Sequence, residues 1–298
     1  MKKKFLITIL MFCSLPFLAR AENSAITTDP PADKTNPAST EGFTLPSHGS
    51  QINVLAYVAS GAGPHPVVVM LHGFPGIERN IDIAQAMRRA GYTVLVSSYR
   101  GASNSQGAFS FAHALEDSQA AVDYLRVPAN ARRLRVAPDK IVLLGHSMGG
   151  WMALATGASD ANVRGVIAIS AADMPDQAGD GLAKYGSAKV IRVCVPMVSE
   201  AFYALAGDTP EAACRELVNH AEQWSLSNDV KGLATRPVFL ITSDDGYELS
   251  AESFAKALRA AGSKQVHEAH LTTDHSYSDK RIALTQVVLD DLDILKLQ

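Results

Sequence analysis

The sequence predicts an α/β architecture, a mostly parallel central sheet flanked by helices, and three observations carry that expectation. Short apolar runs of strand length alternate with longer stretches whose apolar residues recur at helical spacing. Glycines, Gly91 and Gly262 among them, stand where helical stretches stop. The strand-like run 140–144 ends in Gly145-His146-Ser147-Met148-Gly149-Gly150, and a helix-like stretch, 151–156, follows at once. Ser147 therefore occupies a strand-to-helix turn.

Taken in chain order, residues 1–21 have a basic start, an apolar stretch and an Ala19-Arg20-Ala21 cleavage pattern, which together read as a secretory signal. An uncleaved N-terminal anchor is the alternative, but the stretch is short for a span and Pro16 interrupts it. Residues 22–42, rich in Thr, Pro, Ala, Ser and Asp without an apolar period, are expected to be a flexible leader. Residues 43–298 form the expected domain. Strands are predicted at 52–58, 66–71, 92–97, 141–144, 163–170, 238–241 and 266–271. Ile83, Met87 and Ala90 mark one face of a helix that Gly91 ends, and Phe111, Leu115, Val122 and Leu125 mark a second. Further helices are predicted at 250–261 and 279–295. The segment from about 172 to 236 breaks the rhythm and is read as a mostly helical cap over Ser147, or else as an elaborated crossover without a role in substrate choice.

At 298 residues and 47% hydrophobic content, the chain can bury one large core. Removal of the signal leaves 23 basic against 30 acidic residues, a formal charge of −7, which gives no footing for nucleic acid. The remaining cysteines, Cys194 and Cys214, are expected to form a disulfide in an oxidising compartment, with two separate buried thiols as the alternative. A periplasmic or secreted location, with no stable membrane anchor after cleavage, follows from the same signal. No H-E-x-x-H or paired C-x-x-C spacing occurs, so neither a metal nor another cofactor is expected.

The Gly145-x-Ser147-x-Gly149 elbow, His72-Gly73-Phe74-Pro75-Gly76 after an upstream strand, and an acid then a histidine further on together resemble the α/β-hydrolase superfamily. The resemblance covers about residues 52–295. Within it, Ser98-Tyr99-Arg100-Gly101 and the segment through Glu116-Asp117 look like prolyl-oligopeptidase-like and dienelactone-hydrolase-like members.

A serine hydroxyl needs a neutral imidazole to take its proton and a carboxylate to orient that imidazole. The resemblance implies Ser147 as nucleophile and His275, in Thr273-Asp274-His275-Ser276-Tyr277, as base; His267 and His270 lie inside a predicted strand and read as packing or surface residues. It places the acid at Asp245, with Asp244 as the alternative and the turn-capping role left to the other. It puts the oxyanion donors at the backbone amides of Phe74 and Met148. Arg100 is expected to steady the oxyanion loop or to bind a substrate carboxylate.

These expectations describe a secreted serine hydrolase that cleaves a carboxylic ester or a peptide-like amide through an acyl-enzyme, with thioesters also in range. Its partner is then a small-molecule or peptide-like acyl substrate. If Phe202 and Trp224 line the serine's pocket, small apolar acyl groups are favoured. The alternative is a catalytically silent binding or signalling module on the same fold. Ser147 itself excludes a dehalogenase, which carries aspartate at the elbow.

Overall fold

The structure, a computed structural model, describes residues 23–298; the signal reading of 1–21 lies outside them. Eight strands form a single sheet: β1 (Ser39–Ser47), β2 (Ser50–Val58), β3 (His65–Leu71), β4 (Thr93–Ser97), β5 (Val136–His146), β6 (Gly165–Ile169), β7 (Val238–Ser243) and β8 (Val266–Leu271). Their spatial order is β1-β2-β4-β3-β5-β6-β7-β8. The β1–β2 and β2–β4 pairs are antiparallel, and every pair from β4 through β8 is parallel.

The period-two alternation of strand side chains explains how one sheet serves two cores. Val67, Val69 and Leu71 of β3 face one layer with Ile141 and Leu143 of β5, while Val68, Met70, Val142 and Leu144 face the other. On the first face lie α2 (Phe111–Arg126), α4 (Met148–Ser159) and α9 (Glu248–Ala260), whose Phe111, Val122, Trp151 and Leu258 are fully buried. On the second lie α1 (Ile81–Arg89) and α10 (Arg281–Leu295), through Ile83, Met87, Leu284, Val288 and Leu292. A short α3 (Pro128–Arg133) leads into β5.

Two expectations are corrected. The stretch read as a flexible leader is built into the fold. Ala25 is buried in a 3-10 turn, the Asn23 amide donates to Gln286 Oε1 at 2.8 Å, and Arg89 Nε donates to the Ala25 carbonyl at 2.6 Å. Backbone groups and long side chains fasten the segment, so it needs no apolar period. The leader reading also hid the start of β1 at Ser39. This edge strand buries only Leu45 and Ser47, and Pro46 within it is tolerated because only β2 pairs with it.

Between β6 and β7 the chain forms the expected helical insertion: α5 (Met174–Tyr185), α6 (Ser187–Ser199), α7 (Pro210–Trp224) and α8 (Val230–Leu233). Cys194 on α6 and Cys214 on α7 are joined by a disulfide. No helix among the described residues is long and apolar enough to cross a membrane.

Candidate active site

Ser147 separates β5 from α4 with φ 57° and ψ −125°. A residue with a side chain holds such positive-φ backbone only where its surroundings enforce it. Here the Ser147 amide donates to the Ile169 carbonyl at 2.9 Å, and its carbonyl accepts from Gly150 at 2.9 Å and Ala172 at 3.0 Å. A Cβ on Gly145 would lie 1.9 Å from the Gly149 oxygen, and one on Gly149 would lie 2.0 Å from the Leu71 oxygen. The ends of β3 and β5 and the start of α4 thus meet backbone to backbone, and the serine projects from their junction. Gly73 borders it directly, since a Cβ there would stand 3.0 Å from Ser147 Cβ.

Asp245 follows β7 by two residues. His275 Nδ1 lies 2.7 Å from Asp245 Oδ2, Ser243 Oγ donates to the same oxygen at 2.9 Å, and the Tyr247 amide donates to Oδ1 at 3.0 Å. The Asp245 side chain is 3% exposed. Burial opposes its ionisation, but hydrogen bonds from His275, Ser170, the Tyr247 amide and Ser243 outweigh that cost and hold the carboxyl well below the usual carboxylate range. An ionised Asp245 can only accept, so His275 Nδ1 donates to it and the imidazole is held in orientation.

Asp244 serves a different partner: its Oδ1 is 3.0 Å from His270 Nε2, and His270 Nδ1 is 3.0 Å from Thr242 Oγ1, all on the exposed rim. The reversed assignment, with Asp244 on His275, is not the arrangement in the structure. His267 stacks on Phe239 with ring centroids 4.8 Å apart.

His146, the neighbour of Ser147, touches the Asp245–His275 pair. His146 Nε2 donates to the His275 carbonyl at 2.8 Å, and the two rings lie 4.8 Å apart. Burial, then the proximity of His275, lowers His146 to about 4, so it stays neutral near pH 7. His72 is also buried, with Nδ1 2.7 Å from the Gly73 carbonyl and burial lowering it to about 4.

Three hydroxyls behind Asp245 escaped the sequence reading. Ser170 Oγ lies 3.1 Å from Ser243 Oγ and 2.9 Å from Tyr277 Oη, and Tyr277 Oη donates to the Ile241 carbonyl at 3.3 Å. Burial pushes the Tyr277 phenol up to about 12, so it remains a donor. The legible trace was spacing: Ser243 precedes Asp245, and Tyr277 follows His275, by two residues each.

Met148 is the first residue of α4, so its amide belongs to the helix-end donors that lack an intrahelical acceptor. The Phe74 ring packs on Phe109 at 5.6 Å and on Phe202 of the insertion at 5.7 Å. Trp224 packs on Trp151 at 5.7 Å. Arg100 is held by structural contacts, made with α2 and not with the oxyanion loop. It is 5% exposed, its Nε donates to Asp117 at 2.8 Å, and its Nη2 bonds the His113 carbonyl at 3.1 Å and Glu116. Among the described residues, no group of three or more His, Cys, Asp or Glu is placed to hold a metal ion.

The fold and this junction define a serine hydrolase of the α/β-hydrolase class. An esterase from Pyrobaculum calidifontis shares the fold with a TM-score of 0.65 at 18% identity, over 89% of this chain and 88% of that one. Est1E from Butyrivibrio proteoclasticus does so with a TM-score of 0.62 at 18% identity, over 86% and 99%. Pyrococcus horikoshii acylaminoacyl peptidase gives 0.60 at 17% identity, over 87% of this chain and 42% of that one. Residues 62–224, more than half of the sequence, match the serine aminopeptidase S33 family, and the chain belongs to it. The quorum-quenching protein AidA of Acinetobacter baumannii (strain MDR-ZJ06) is 37% identical over 109 residues, a match that spans 34% of this chain and 34% of that protein.

Proposed function

We propose that this hydrolase cleaves a carboxylic ester or a peptide-like amide through an acyl-enzyme formed on Ser147. His275 takes the serine proton and returns it to the leaving group, Asp245 holds the imidazole, and the amides of Phe74 and Met148 receive the oxyanion. The observation that carries the reading is the buried, ionised Asp245 on His275 Nδ1 at 2.7 Å, tied by His146 to the serine at the strained turn. Attack by Ser147 Oγ on the carbonyl carbon forms a tetrahedral adduct, and its collapse expels the alcohol or amine protonated by His275. Water activated by the same imidazole then releases the acid and restores the serine. The esterase and peptidase neighbours support both halves of the substrate range. Phe202 beside Phe74 supports a small apolar acyl group. The basic, apolar N-terminal sequence ending at Ala21 supports export to the periplasm or beyond, where the Cys194–Cys214 bond is stable.

A fluorescent fluorophosphonate probe tests this assignment. Wild type labels, while Ser147→Ala and His275→Ala, both folded by circular dichroism, do not. Labelling of Ser147→Ala, or none of folded wild type, would sink the assignment and leave a binding module on the hydrolase fold. Ester and aminoacyl substrate panels on the labelled enzyme then separate esterase from peptidase.

A further inference from the structure

Helix α6 turns apolar side chains outward where a globular protein usually hides them. Cys194 and Val198 form its inner stripe: the first is bonded to α7 and the second is buried. One residue before each, and therefore on an outward stripe, stand Val193 at 54% and Met197 at 76% exposure. Lys189 continues that stripe by one helical turn, and Arg192 stands next to it, both exposed. Tyr185, at 49% exposure, meets the Lys189 ammonium 3.9 Å from its ring centroid and that of Lys184 at 5.1 Å. Tyr203, just beyond α6, is 79% exposed.

The charge of this segment runs against that of the chain. Between Asp180 and Glu200 the only ionisable side chains of formal charge are Lys184, Lys189 and Arg192, whereas the whole chain is acidic at a formal −3. Cations that surround exposed aliphatic and tyrosine side chains match a bilayer surface. Ammonium and guanidinium groups meet anionic headgroups, Tyr sits at the headgroup level, and Val and Met enter the acyl boundary. A symmetric contact with a second copy would set Lys189 and Arg192 against themselves, and the acid of this stripe, Glu200, stands at its far end past Met197. The disulfide between α6 and α7 keeps the face rigid, so its exposure costs no ordering on docking.

We propose that the outer face of α6 docks this protein peripherally on anionic phospholipid bilayers. The docking goes beyond the catalytic reading and does not depend on it, because binding is measured without turnover. The test is co-sedimentation of the chain from Glu22 onward with large vesicles of phosphatidylcholine, alone or mixed with phosphatidylglycerol. Wild type pellets with the mixed vesicles, stays in solution with phosphatidylcholine alone, and is released by salt. V193D/M197D and K189E/R192E each weaken binding at least about tenfold, in line with the loss of inserted apolar groups or basic contacts. Both variants keep the wild-type circular dichroism and the wild-type thermal unfolding midpoint. Absence of wild-type binding to mixed vesicles, or equal binding by both variants, overturns the proposal. So does a wild-type dimer that V193D/M197D converts to monomer with no vesicle binding, which would make the face a contact between copies.

Discussion

At the scale of single residues, two adjacent aspartates have separate duties. Asp245 is buried, ionised and shared among His275, Ser243 and the Tyr247 amide, whereas Asp244 and His270 form a half-exposed pair. Asp245→Asn is expected to lower kcat roughly 10⁴-fold with little change in KM, because the amide can leave the imidazole in the wrong tautomer. Asp244→Asn, which removes only an exposed ion pair, is expected to stay within about twofold of wild type. Steady-state kinetics on one ester settles both, and the reverse ranking would move the acid to Asp244. The elbow serine and the histidine loop were legible because each sits at a strand end marked by an apolar run. The choice between neighbouring aspartates was less so, since it turns on which side of the turn each side chain leaves, and that depends on His270 and His275 far along the chain. The hydroxyls of Ser170 and Tyr277 left no composition signal at all, because serine and tyrosine occur anywhere.

Secondary-structure elements reveal what periodicity can and cannot report. The central parallel strands were readable as continuous β-branched runs, since both faces are buried. Edge strand β1 was not, because Ser, Thr, Gly and Pro dominate it and its inward residues are few: Leu45 and Ser47 are buried and Phe43 packs part-buried against the core. The insertion was recognisable as an interruption of rhythm, and its disulfide was an expectation that needed the 5.9 Å Cα separation of Cys194 and Cys214 to become a bond. That bond closes a 20-residue separation and is expected to contribute on the order of 3 kcal/mol, mostly to the α6–α7 pair. C194A/C214A should therefore be cut by protease first between these helices, with the sheet intact, and a fragmentation pattern identical to wild type would refute that local role.

For the whole molecule, part of the pH dependence comes from two buried histidines beside the serine turn. His72 and His146 are both held near 4 against 6.5 for a free imidazole, chiefly by burial. Between those values these two rings bind protons in the unfolded chain and refuse them in the folded one, so their contribution to stability rises with pH across the window and falls as pH drops from 6.5 toward 4. Every tenfold difference in proton affinity between the folded and unfolded chain is worth about 1.4 kcal/mol for each ring, so the loss should total several kcal/mol. Asp173 and Asp229, raised mainly by burial to about 6 and about 7, take up protons in the folded chain over the same window and oppose this loss. The check is therefore an NMR titration of the two imidazoles, and a midpoint near 6.5 for either ring would show that it is not buried neutral. The order of the site along the chain has a consequence for synthesis. Ser147 is delivered by β5, Asp245 by β7 and His275 by the loop after β8, with α10 still to follow. A chain emerging from the ribosome therefore carries Ser147, the proposed nucleophile, long before His275, the imidazole proposed to activate it. On the catalytic reading proposed above, a polypeptide truncated before β8 can present the serine turn but has no base, so the enzyme is born inert and gains its reactivity only after β8 and the loop behind it have been made.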